Sequence, residues 1–128
     1  MICFLADERR IDIAANPRGV CYSNDGKWLA ICHGDGLLFL WDAQTQQIVF
    51  KVGAHHRGVR SPAFAPNGKT LATAGWDKKV KLWDTSSLLV LATLHGPTDE
   101  LRALTWAPDG KTLAAAGHDG HIWLWRAK

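Results

Sequence analysis

The chain has little with which to span a membrane, staple itself covalently or hold nucleic acid by charge. The apolar stretch at its start runs only from Ile2 to Ala6 before Asp7, Glu8, Arg9 and Arg10, far short of a signal-peptide core or the ~20 residues of a spanning helix. Cys3, Cys21 and Cys32 are odd in number and show no CxxC spacing. No disulfide framework is therefore expected, and a reducing compartment, the cytoplasm, is. Lys and Arg number 15 against 12 Asp and Glu, a formal net charge of +3. These charges are scattered with no run of five or six, so nucleic acid is not indicated as a partner. Catalytic signatures are missing too. None of Ser23, Ser61, Ser86 and Ser87 lies in GxSxG, and there is no Gly-rich phosphate loop and no HExxH. Neither an enzyme activity nor a cofactor is expected.

What is present is a repeat. The chain's 128 residues, 47% hydrophobic and 21% charged, have globular composition and suit one unit spanning 1–128. Trp41, Trp83 and Trp125 fall 42 residues apart, and the same step links Gly26, Gly68 and Gly110, each in an Asn/Asp-Gly turn followed by Lys27, Lys69 or Lys111. Leu29, Leu71 and Leu113 keep the register, as do Asp35, Asp77 and Asp119. Between the turns the apolar residues alternate in short runs, the signal of strands and hairpins rather than helices. One run holds Val20 and Tyr22, Pro62 and Phe64, or Leu104 and Trp106. The Asn/Asp-Gly pair after it favours a tight hairpin. A second run ends at the recurring Asp, a third carries the Trp, and a fourth (48–52 or 88–94) bridges to the next repeat. Four strands per repeat is the content of one propeller blade.

In these residues the chain resembles the WD-repeat (WD40) family, whose unit runs ~40–45 residues with Gly-His near one end and Trp-Asp near the other. The second repeat carries the likeness most fully, with Ala54-His55, Val59, Phe64 through Gly68, Leu71-Ala72-Thr73, Asp77 and Trp83-Asp84 in order. The resemblance covers about 17–126 and implies an all-β fold of three four-stranded antiparallel blades: repeat 1 at about 17–42, repeat 2 at about 55–84 and repeat 3 at about 97–126. It further implies a buried hydrogen-bond chain through His55, Thr73, Asp77 and Trp83, which is structural rather than catalytic, since a buried carboxylate needs donors and an indole N–H needs an acceptor. The other repeats hold Ile13 and Pro97 where the His would stand, and Ile31 and Ala115 in place of Thr. They are expected to keep the turn Asp and the Trp (Asp35 and Trp41, Asp119 and Trp125) without the full network, leaving the middle blade the best ordered. Pro62 is tolerable if its strand is a blade edge, where a missing N–H strands no partner.

The function implied is a non-catalytic scaffold that binds a protein partner through hairpin turns and channel mouth. Arg18, Arg60 and Arg102 recur at the start of each innermost strand and could form a partial basic ring for acidic groups or phosphate; solvated arginines are the plainer reading. Trp76 stands in a hairpin turn where the other repeats have Gly34 and His118. It is either an exposed aromatic anchor or a side chain packed on a neighbouring loop. His118, Asp119 and His121, even with His55 and His56, do not make a metal site, because the repeat commits Asp119 to its turn and no third ligand has zinc-like spacing.

Three blades fall short of the four to eight of closed propellers. Trp125 belongs to the third strand of the last blade, so one outer strand is missing there. A segment around 10–14, within a possible closing strand in 1–16, could supply it between two copies, giving a homodimer that completes a six-bladed ring. The alternative is an incomplete propeller that forms part of a longer one.

Overall fold

A computed structural model describes residues 9–13 and 16–127. It is all-β: among the described residues there is no helix, and so none long and apolar enough to cross a membrane. The first sheet has the order β1 (Pro17–Tyr22), β2 (Trp28–His33), β3 (Leu37–Asp42) and β4 (Gln47–Gly53). The second repeats it as β5 (Val59–Phe64), β6 (Thr70–Gly75), β7 (Val80–Asp84) and β8 (Val90–Leu94). The third holds β9 (Leu101–Trp106), β10 (Thr112–Gly117) and β11 (Ile122–Arg126), with β11 at its edge and no outer strand among the described residues. All pairings are antiparallel meanders, which short connections make natural. Pro62 lies on β5, an edge strand of its sheet as expected.

The Asn/Asp-Gly turns differ from the tight hairpin that the dipeptide favours. Each is a longer loop, 23–27, 65–69 and 107–111. The polar residue before its glycine explains why. Asp25, Asn67 and Asp109 each accept the N–H of the Lys two residues on at 2.9 Å, an Asx-type closure. The intervening Gly26, Gly68 and Gly110 take φ of 73°, 73° and 72°, the left-handed region that suits glycine.

Packing between sheets follows the 42-residue step. Ala30, Cys32, Leu38 and Leu40 of the first blade are buried against Val59, Phe64, Leu71 and Trp83 of the second. The same positions recur one blade on: Ala72, Ala74 and Val80, with Leu82, pack against Leu101 and Leu113, with Trp106 and Trp125. Each blade thus has a small-residue aliphatic face and, on its other side, a face carrying the Trp. The inner strands lie side by side, so close that a Cβ on Gly19 would fall 2.5 Å from the Arg60 carbonyl oxygen. Residues 9–13 form no strand. Arg9, Arg10, Ile11 and Asp12 line an open cleft of about 870 Å³ with Tyr22, Trp41 and Ile48 of the first blade. Within the chain they do not complete the third blade; Ala14 and 1–8 lie outside the described residues.

Candidate functional site

The middle blade assembles the expected chain of hydrogen bonds. Trp83 Nε1–H donates to Thr73 Oγ1 at 3.0 Å, the Thr73 hydroxyl meets His55 Nε2 at 2.9 Å, and His55 Nδ1 meets Asp77 Oδ1 at 2.9 Å. An indole only donates and a carboxylate only accepts, so the Thr73 hydroxyl donates to Nε2 and the imidazole carries its proton on Nδ1. His55, Thr73 and Trp83 are buried. Burial pushes the Asp77 carboxyl up, but the hydrogen bond and attraction of the His55 ring, with the His56 and Lys79 N–H groups, outweigh it and hold the carboxyl below its usual range. Gly75 leaves room for the ring. A Cβ there would fall 2.4 Å from His55 Nδ1.

The outer blades lack this set, as their sequence implies, yet each gives its turn Asp another partner. In the first blade the counterpart of Gly75 is His33, which is buried, packs edge-on to Phe39 at 6.0 Å between ring centroids, and accepts the Asp35 N–H at Nδ1 (3.1 Å). A ring from β2 thus replaces the one that the second blade brings from the loop before β5. In the third blade Trp123 Nε1–H donates to Asp119 Oδ2 at 2.9 Å, joined by the Thr98 hydroxyl at 3.2 Å, while His121 N–H reaches Oδ1 at 3.0 Å. The His121 backbone and the Trp123 indole hold the Asp119 carboxyl down to about 2, with Thr98 adding to them against slight desolvation. Trp41 is half-buried beside the cleft, and Trp125 packs into the second core. Sequence reasoning missed His33 and the Trp123 bond. The available signal was His33 at a position held by Gly75 and Gly117 in the other repeats, and Trp123, like Phe39, at a position held by Lys81 in the middle one.

The channel-mouth residues come together unequally. Arg18 lays its guanidinium over the Trp76 ring, 5.3 Å from the centroid, reaching across to the next blade past Gly34, where a Cβ would meet Arg18 Nε at 3.3 Å. Trp76 is half-buried and lies within about 3.5 Å of where a Gly58 Cβ would stand. It packs on the neighbouring loop, the second of its two expected roles, and its Nε1 is buried with no hydrogen-bond partner among the described residues. Arg102 donates from Nε to His118 Nε2 at 2.7 Å, and its Nη2 meets the same nitrogen. Arg60, half-buried, has no side-chain partner among the described residues. Among the described residues, Arg18 and Arg102 thus have side-chain partners and Arg60 has none. Around His118, Asp119 and His121, as elsewhere among the described residues, no group of three or more His, Cys, Asp or Glu gathers as metal ligands.

No curated protein matches the chain. The family model described as WD domain, G-beta repeat matches at 14–42, 46–84 and 89–126. The second and third matches begin earlier than the repeats as read from the Trp step, because each takes in the outer strand of the preceding sheet, β4 or β8. Three matches across almost the whole chain, laid on three antiparallel sheets with the His-Thr-Asp-Trp hydrogen bonds in the middle one, place the protein in the WD40 repeat family.

Proposed function

We propose that the chain is a non-catalytic protein-interaction module that binds an acidic segment of its partner at the channel mouth. WD40 repeats serve in general as protein-interaction scaffolds without catalysis, and the proposal adds the surface. The observation that carries it is Arg60, half-buried and without a counter-charge among the described residues, on the inner strand that lies against Gly19. A guanidinium in that setting gains most from a planar carboxylate. Phosphate capture by all three arginines has less support, since Arg18 lies on Trp76 and Arg102 on His118. A reducing compartment such as the cytoplasm suits the free thiols of Cys21 and Cys32, the latter buried so that its pKa is pushed up and its reactivity falls.

The test is binding of a fluorescent oligoglutamate probe to wild type, Arg60→Ala and Trp76→Ala. About tenfold weaker binding in Arg60→Ala is expected, the equivalent of ~1.4 kcal/mol, with a smaller loss in Trp76→Ala. Equal affinity in all three would remove the mouth as the contact surface. Displacement of the probe by inorganic phosphate as readily as by an unlabelled Glu-rich peptide would favour the anion site instead.

A further inference from the structure

One apolar face on each outer blade repeats an internal interface with no blade against it among the described residues, the first-blade face being lined in part by Arg9 to Asp12. Ile122 and Leu124 of the third blade are 68% and 67% exposed, whereas their counterparts in the first, Leu38 and Leu40, are 1% and 2% exposed under the second blade. Ala114 and Ala116 complete this face, at the positions of the buried Ala30 and Cys32. On the first blade, Tyr22, Leu29 and Trp41 stand at the positions of Phe64, Leu71 and Trp83, which cover that aliphatic face inside the chain. Tyr22 is 56% exposed. The chain therefore carries one face of each kind, and the two are complementary by the same repeat that builds its core.

We propose that a second copy of this chain occupies both, the third blade of each packing on the first blade of the other to close a six-bladed ring. Head-to-tail contacts of this kind close into rings when the rotation allows, and two copies give a blade number within the four to eight that propellers use. Three copies would exceed it. A polar contact reinforces the match. Across the internal boundary Trp106 Nε1–H donates to the Ala63 carbonyl at 2.9 Å; its first-blade counterpart, Tyr22, carries a hydroxyl, and the counterpart of Ala63 is Thr105. The ring thus offers the Tyr22 O–H the Thr105 carbonyl of the second copy. Aliphatic and aromatic side chains left at this exposure would otherwise form the kind of patch that drives association.

Sedimentation equilibrium of the full chain tests this independently of any ligand at the mouth. Wild type is expected at twice its mass of 14.1 kDa. Leu124→Glu and Tyr22→Glu, one on each face, should each raise the dissociation constant at least tenfold, while Leu89→Glu, on an exposed leucine outside both faces, should leave it unchanged. A wild type that stays at 14.1 kDa through the micromolar range overturns the proposal, as does growth beyond two copies with rising concentration. So does Leu124→Glu or Tyr22→Glu retaining wild-type dimerisation. Should a variant misfold, the wild-type mass decides alone.

Discussion

At the scale of single residues, the three blades treat the turn Asp in three ways. Donors to its carboxylate come from His55 in the second blade and from Trp123 and Thr98 in the third, while in the first the Asp35 side chain is largely exposed and His33 accepts from its backbone N–H. Thr73 is the critical link because it serves two buried partners at once. Thr73→Val keeps the shape, but strands the Trp83 N–H and the His55 Nε2. A loss of about 2–4 kcal/mol in urea unfolding is expected, from roughly 1–3 for each buried group left unpaired. A loss below the usual scatter of surface variants would mean that the chain of bonds does not stabilise the blade. Asp119 has a pH signature. Its folded-state pKa lies below the usual carboxylate range, at about 2, so the stability it contributes is present above the unfolded pKa of about 3.9 and lost as pH falls toward 2. Asp119→Asn should flatten that part of the stability profile, with its slope above pH 5 unchanged, as followed by tryptophan fluorescence.

At the scale of elements, the turns between the second and third strands show how a shared geometry tolerates different residues. Gly36 and Gly120 take φ of 92° and 79°, and the residue at the same position in the middle blade, Lys78, is held at 70°. A side chain in the left-handed region costs ~1–2 kcal/mol, part of which glycine returns as entropy of the unfolded chain. Lys78→Gly is therefore expected to stabilise by about 0.5–1 kcal/mol, measured as a rise in the urea midpoint; a destabilised variant would show that the lysine side chain offsets its strain through contacts. Gly75 illustrates the opposite constraint. Its missing Cβ is the space that His55 fills, whereas the third blade has the matching Gly117 but Pro97 in place of the His.

At the scale of the whole molecule, stability in a stacked repeat is a sum of blades and boundaries. The middle blade has both faces covered, and Leu71, Ala72, Thr73 and Ala74 of β6 are at most 1% exposed. Hydrogen exchange should accordingly be slowest in β6 and fastest in β11, the edge strand with exposed Ile122 and Leu124. If β11 exchanged as slowly as β6 in dilute protein, the two-boundary picture would fail. In the proposed ring, protection of β10 and β11 should rise with protein concentration, since association stabilises only the state that presents both faces.

Much of this architecture was legible in the chain itself. A gap-free step of 42 residues dictates period, strand number and turn positions, because hydrophobic alternation and Gly-containing loops are local properties. The His55-Thr73-Asp77-Trp83 set could be named through the family resemblance, the register only placing each residue on the family's pattern. The sequence could not say which way Trp76 packs, that Arg18 crosses to the next blade while Arg60 has no side-chain partner among the described residues, or that His33 and Trp123 contact the outer turn Asp residues. Those choices depend on which side chains from different sheets reach the same space, and only the packed inner strands settle that. The chain's own register determined three unequal blades; the tertiary structure decided which polar groups satisfy one another and which two apolar faces are left facing outward.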